Sequence, residues 1–255
     1  MLIERMKRLN LGQVACSLFF LLFSCQKGLY PEATLATETA VLVDAKVAPD
    51  AKAENVIAPY RQQVEERMNE VIGIAPMELS SDTVESTLGN FVADLQREQA
   101  SAAIGQPVDL GLMTQGGLRN SLPKGNIKVG NVFEVMPFEN KVLVLTLPGT
   151  SVQKLFEFGA QRRVLSVSNA TFSIKNKKPV NILIGGKPLD MQRTYTMAVS
   201  DYLANGGDNL IMLRDATKVT ETGILLREAI LKKIKDLTAQ QKPVEAKLEG
   251  RVKKI

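Results

Sequence analysis

Residues 141–147 are apolar on both faces, with Val142, Leu143, Val144 and Leu145 following one another without a polar side chain. A strand with one wet face alternates apolar and polar residues, so this run fits a central strand covered on both sides. A chain containing it needs other elements to bury each face. Helical spacing of Val64, Met68, Val71 and Ile72 predicts an amphipathic helix over 60–72, with Gly73 as its stop. A second helix is predicted from 88 to about 101, and a third over 151–159 with Thr150 as N-cap. A short strand over 108–113 runs into Thr114-Gln115-Gly116-Gly117, and further strands are predicted at 170–175, 180–184, 194–200 and 210–213. Gly185-Gly186 is a hairpin turn signal leading into 187–189. Residues 223–237 read as an amphipathic helix with Leu226, Ile230, Ile234 and Leu237 on one face, and 244–255 as an alternating edge strand. No internal repeat stands out. The sum is one α+β domain over roughly 56–255, a mixed β-sheet flanked by helices.

The first 25 residues read as an address. Arg5, Lys7 and Arg8 precede an apolar stretch over 14–23 that is too short to span a membrane. Leu22-Phe23-Ser24-Cys25 resembles a bacterial lipobox, in which the Cys is acylated and becomes the first mature residue. The reading is a lipoprotein signal peptide over 1–25 lipidated at Cys25; a plain secretory signal cleaved nearby and an uncleaved anchor are the alternatives. The chain is then expected to be exported and lipid-anchored to a bacterial membrane, periplasmic or at the cell surface. Cys16 would leave with the leader, so no thiol remains for a disulfide or a metal. Residues 26–55 are rich in Ala, Thr and charge without a clear period, and read as a flexible tether.

Of the 255 residues none is His. A Ser-His-Asp triad, a zinc protease site and a typical two-metal phosphatase centre therefore cannot be assembled from this sequence. A carboxylate-only Ca²⁺ or Mg²⁺ site stays open, but no Asp-rich loop has calcium-binding spacing. Net charge is +5, of which +2 sits in the leader. Lys and Arg are otherwise mixed with acids, apart from clusters at Lys175–Lys178 and Lys232–Lys235, which read as solvated faces.

Three Gly-and-polar segments interrupt the apolar pattern. The first is Gln115-Gly116-Gly117-Leu118-Arg119-Asn120, where paired Gly after a strand allows close approach to a ligand and Arg119 offers a fork for oxyanions. The second is Met136-Pro137-Phe138-Glu139-Asn140, and the third runs from Asp201 to Asn209. Singly each is weak, because Gly pairs are mostly turns and a lone Phe or Tyr is mostly core.

In this order, and preceded by Glu85-Ser86-Thr87-Leu88-Gly89-Asn90, they resemble the C-terminal domain of the 5′-nucleotidase family, which includes UDP-sugar hydrolases and 2′,3′-cyclic phosphodiesterases. The family's Asn-Gly-Gly-x-Arg element appears here with Gln115 in place of Asn. Its Pro-Phe-x-Asn element stands intact at Pro137 to Asn140, and its Asp-[Phe/Tyr]-Leu-x-x-Gly-Gly-Asp element at Asp201 to Asp208. The likeness covers about residues 57–215. It implies that Phe138 and Tyr202 sandwich a base, that Asn140 bonds the base edge, and that Asp208 accepts from ribose hydroxyls. Arg119, with Gly116 and Gly117 beside it, and Asn90 would lie nearer sugar and phosphate. The bland alternative is that Phe138 and Tyr202 are ordinary core residues. Asn209 and Leu210 depart from the family's usual Gly and aromatic, and Ser168-Asn169 stands for its Ser-Gly turn.

In the family, catalysis belongs to an N-terminal metallophosphoesterase domain whose two metals are held by Asp, His and Asn. The expectation is a split system in nucleotide catabolism. This chain would bind the nucleoside part, without catalytic residues, metal or cofactor of its own. A separate metallophosphoesterase chain would supply the divalent metals. The alternatives are a stand-alone nucleoside-binding lipoprotein, a structural surface protein, and a hydrolase using Asp201 or Asp208. Nothing points to a nucleic acid polymer as partner.

Overall fold

A computed structural model describes residues 47–255; the expected signal peptide with Cys25 and most of the expected tether lie outside the described residues. The elements run α1 (Ala51–Met68), β1 (Val71–Ala75), α2 (Thr87–Ile104), β2 (Leu110–Thr114), β3 (Gly125–Lys128), α3 (Val129–Val135), β4 (Lys141–Pro148) and α4 (Gly149–Arg162). Then come β5 (Leu165–Ser168), β6 (Ala170–Lys175), β7 (Lys178–Ile184), β8 (Lys187–Pro188), β9 (Thr194–Ser200), α5 (Asp201–Ala204), β10 (Lys218–Leu225), α6 (Leu226–Ala239) and β11 (Val252–Lys254).

The run that is apolar on both faces is β4, and it lies inside a five-stranded sheet ordered β10-β4-β9-β2-β5. β4 pairs antiparallel with β9 over Val142–Pro148, β9 pairs parallel with β2, and the remaining pairs are antiparallel. The sheet is mixed, as expected. Its two faces belong to two apolar clusters. Val142, Val144 and Ala198 join Leu88, Val92, Ile230 and Ile234 from α2 and α6. Leu145, Leu147, Met197 and Val199 join Leu155 and Phe156 from α4. A second sheet, ordered β11-β6-β7-β8, meets that second cluster through Phe172, Ile174 and Ile184. A β1-β3 pair completes the fold. The chain passes from β5 in the first sheet to β6 in the second at Asn169, with φ of 55°, a left-handed position that Asn tolerates better than most residues.

Several boundaries differ from the sequence reading. α1 begins at Ala51, inside the segment read as tether, and ends at Met68, so Val71 and Ile72 are strand, not helix. Short apolar β-branched runs fit either period. The helix predicted over 223–237 starts at Leu226, because residues up to Leu225 complete β10 against β4. Residues 211–215 form a 3₁₀ turn in place of a strand, and the predicted final strand shrinks to Val252–Lys254, parallel to β6. The helix predicted over 151–159 opens earlier, at Gly149, with Pro148 and not Thr150 at its N-cap.

The motif from Glu85 to Asn90 is a helix start and a clasp. Ser86 is the N-cap of α2, its hydroxyl accepting from the Gly89 N–H at 3.2 Å. Gly89 has no room for a side chain, since a Cβ there would lie 2.0 Å from Ser166 Oγ. Asn90 Nδ2 donates to Glu85 Oε1 and to the Lys247 carbonyl, each at 2.9 Å. Glu85 Oε1 also accepts from the Glu249 N–H at 2.8 Å, which ties the C-terminal segment to α2. Burial would raise the Glu85 pKa. The hydrogen bonds from Asn90 and from the backbone N–H groups of Glu249, Arg251 and Val252 more than offset this and hold the carboxyl below its ordinary value.

Candidate functional site

Phe138 and Tyr202 are not core residues: they are 39% and 51% exposed, although both are large and apolar. Phe138 sits on the loop between α3 and β4, and Tyr202 lies in α5, directly after β9. β4 and β9 are paired neighbours, with Val142 opposite Ser200, so the pairing brings the two loops to one end of the sheet. Ser200 caps α5 by accepting from the Leu203 N–H.

Two sets of contacts join the predicted residues, one around Arg119 and one around Asp208. The Arg119 guanidinium lies 5.5 Å from the centre of the Phe138 ring, within cation–π reach. Arg119 Nη1 also donates to the Gly116 carbonyl at 3.2 Å. A Cβ on Gly116 would stand 3.2 Å from Asp208 Oδ2, so glycine lets the loop lie close to that carboxylate. Tyr202 donates its hydroxyl to Asp208 Oδ1 at 3.0 Å and accepts from the Asp208 N–H at 3.2 Å. Thr114, at the end of β2, donates to Asp208 Oδ2 at 2.7 Å. Asp208 and Asn209 have φ of 52° and 64°, a pair of left-handed residues that these hydrogen bonds to Asp208 hold in place. Gly207 cannot be replaced cheaply, since its Cβ would meet the Tyr202 ring at 2.5 Å.

Asn140, Asp201, Tyr202, Gly207 and Arg214 line a shallow cleft of about 540 Å³. Arg214 closes one wall by donating Nε and Nη2 to the Asn205 carbonyl at 2.9 and 2.7 Å. Most of the predicted positions thus touch one another or line the cleft: Phe138, Arg119, Gly116, Asp208, Tyr202 and Asn140. Gly117 flanks them, against Met113. Asn90 is not brought there. It is 1% exposed, and its amide is used by Glu85 and Lys247, so its place is the clasp under α2.

Three contributors carried no signal in the sequence. Arg227, 8% exposed, donates Nη1 to the carbonyls of Pro137 and Phe138 at 3.1 and 3.3 Å and lies 4.4 Å from the centre of the Phe133 ring. It sits among Leu226, Ala229 and Ile230 on α6, where a helical pattern reads it as a boundary charge. Beside it the Leu226 N–H donates to the Asn140 carbonyl at 2.9 Å, so the start of α6 holds both ends of the Phe138 loop. Thr114 and Arg214 are the others. Two further clefts, of about 370 and 450 Å³, share Arg251, whose guanidinium is already bound by Asp94, Glu249 and the Val167 carbonyl. Among the described residues no group of three or more His, Cys, Asp or Glu is placed to hold a metal ion.

Fold and site together define an α+β domain with an aromatic, carboxylate and guanidinium cluster on the loops at one end of a mixed sheet. The chain belongs to the family described as the 5′-nucleotidase C-terminal domain, which matches residues 67–215. It is 28% identical over 229 residues to the trifunctional nucleotide phosphoesterase protein YfkN of Bacillus subtilis, covering 81% of this chain and 15% of that one. It is 26% identical to the protein UshA of Yersinia enterocolitica, covering 76% of this chain and 36% of that one. Among solved structures, the 5′-nucleotidase precursor of Thermus thermophilus superposes with a TM-score of 0.69 at 30% identity, over 84% of this chain and 45% of that one. The chain therefore spans less than half the length of each of these relatives.

Proposed function

We propose that this chain is a nucleoside- or nucleotide-recognition domain. A base would stack on Phe138 and Tyr202, with Asn140 at its edge. Asp208 would accept from the ribose hydroxyls, and Arg119 would face the phosphate side. Stacking on an aromatic platform is worth about 1–3 kcal/mol per base and tolerates different bases. The observation that carries the reading is the joining of these loops at one end of the sheet: Arg119 against Phe138 and Gly116, and Tyr202 and Thr114 on Asp208. Exposure of both large aromatics supports it, as does membership of a family whose relatives are named as nucleotidases and nucleotide phosphoesterases.

The reaction itself is assigned to another polypeptide. Two-metal phosphoester hydrolysis needs ligands that clamp the attacking and leaving oxygens, and these 255 residues include no His. The reading is a split 5′-nucleotidase-like system in nucleotide catabolism, with a separate metallophosphoesterase chain supplying divalent metals. The whole would be held at a bacterial membrane through Cys25, in the periplasm or on the cell surface. Equilibrium dialysis against adenosine and AMP tests the recognition half, and retention of either ligand is the expected result. Assay of the purified chain on AMP with Mn²⁺ tests the other half. Turnover that persists after removal of contaminating phosphatases would contradict the split.

A further inference from the structure

The two lysine clusters that look alike in the sequence are different objects in the fold. In the α6 cluster each lysine has an acid: Lys232 lies 2.6 Å from Asp236, Lys233 2.9 Å from Glu98, and Lys235 2.9 Å from Glu70. Those charges are already neutralised by their neighbours. The other cluster is not. Lys175 and Lys178 are directly paired across the β6–β7 hairpin, with Lys177 in the turn between them. β11 runs parallel to β6 with Lys254 opposite Ile174, so its C-terminal end delivers Lys253 and Lys254 to the same end of the sheet. All five are exposed, and none makes an ion pair or side-chain hydrogen bond among the described residues. The sequence has no Asp or Glu from Phe158 to Leu189 and none after Glu249, so no acidic side chain on these strands opposes them. Glu157, on the helix α4 that packs beneath the sheet, is held by Gln153 at 3.0 Å.

Five lysine side chains gathered at one sheet end, with no acidic side chain on the same strands, repel one another, and an anionic counter-surface relieves that repulsion. We infer that this end of the second sheet docks on an anionic lipid surface. The residue types favour a lipid surface over a nucleic acid. The cluster is entirely lysine, a hydrated point charge without the planar fork that reads phosphates in pairs. It also has no aromatic on which a base would stack. A basic patch of this size acts as a second, salt-sensitive attachment alongside an acyl chain. The inference stands independently of the nucleoside reading, because it uses none of the cleft residues.

Co-sedimentation of the full chain carrying Cys25→Ser tests it, using vesicles of phosphatidylcholine alone and vesicles with about 30% phosphatidylglycerol, an anionic content of the kind that attracts polybasic segments. The substitution removes the acylation site, and because the basic, apolar leader is common to every variant, the lysine-dependent part is read as the difference between the parent and each Lys→Gln set. Each lysine near such a surface strengthens partitioning about five-fold. The Lys→Gln set at 175, 177, 178, 253 and 254 is therefore expected to lower partitioning on the phosphatidylglycerol vesicles by more than about 100-fold. High salt should lower it likewise. The Lys→Gln set at 232, 233 and 235 serves as the control and should change it little. A quintuple variant that binds the anionic vesicles like its parent overturns the inference. So does an α6 variant that loses as much binding as the quintuple one. Far-ultraviolet circular dichroism on both sets shows that the fold is retained.

Discussion

The hydroxyl of Tyr202 lies 3.0 Å from Oδ1 of Asp208, the carboxylate proposed to receive the ribose hydroxyls. It also accepts the Asp208 N–H at 3.2 Å. One side chain thus offers a stacking face while its tip engages the polar group next to it. Tyr202→Phe keeps the ring but removes two of the three hydrogen bonds that hold Asp208, so adenosine affinity should fall less than in Tyr202→Ala. Tyr202→Ala removes the platform and should weaken affinity by about 5- to 150-fold, the equivalent of 1–3 kcal/mol. Isothermal titration of the two variants separates the roles. Equal losses would show that the hydroxyl, not the ring, matters.

Arg227 should matter to binding without touching ligand. Its guanidinium holds the Pro137 and Phe138 carbonyls and lies against Phe133. Arg227→Met leaves those two carbonyls without a donor, at a cost of about 1–3 kcal/mol in stability. Arg227→Lys should rescue little, because a point charge cannot reproduce the fork and the stacking together. Urea denaturation of the three proteins checks this, and adenosine affinity should fall in parallel with loop order. Lys behaving like Arg would contradict the role.

Asn90 should behave in the opposite way. Its amide belongs to the clasp with Glu85 and Lys247. Asn90→Ala is expected to cost about 1–3 kcal/mol of stability and to leave the affinity of the folded protein unchanged. Gly89→Ala should be harsher, since its Cβ would overlap Ser166 and Ser86. Thermal melts followed by titration below the melting range decide between a clasp and a ligand contact.

Glu85 gives the fold an acid-sensitive element. Its carboxyl is held below its ordinary pKa in the folded chain. A depressed folded pKa contributes stability that is present above the unfolded value of about 4.3 and is lost as pH falls through the folded value. Wild type should therefore exceed Glu85→Gln in stability near neutral pH, with the gap closing under acid. Urea midpoints measured from about pH 7 down to about pH 3, a range that brackets the unfolded value, provide the check. A gap that stays constant with pH would argue against the linkage.

Much of this fold is legible from periodicity alone. The pattern over 194–200 predicts a strand with the bounds the structure gives, and the run over 141–147 ends one residue short of β4. The first is rich in β-branched residues, and the second is an uninterrupted apolar run of strand length. β3, α3 and β5 escape such a reading; they span four, seven and four residues, too short to show a period. The three Gly-and-polar segments are legible because they interrupt an otherwise apolar pattern. Arg227 and Thr114 act through positions that only pairing in space reveals, 90 and 94 residues from the groups they hold. Asn90 is not placed from sequence because its partners, Glu85 and the Lys247 carbonyl, include a group 157 residues away.

The proposed nucleoside site rests on two exposed aromatics, Phe138 and Tyr202, on loops at one end of the sheet. Isothermal titration of the purified chain with adenosine, beside Phe138→Ala and Tyr202→Ala, tests it most directly. One site per chain is expected, with each substitution weakening binding about 5- to 150-fold when measured well below that variant's melting temperature. Absence of binding in the unsubstituted chain at millimolar adenosine, or binding that survives loss of both aromatics, would contradict it.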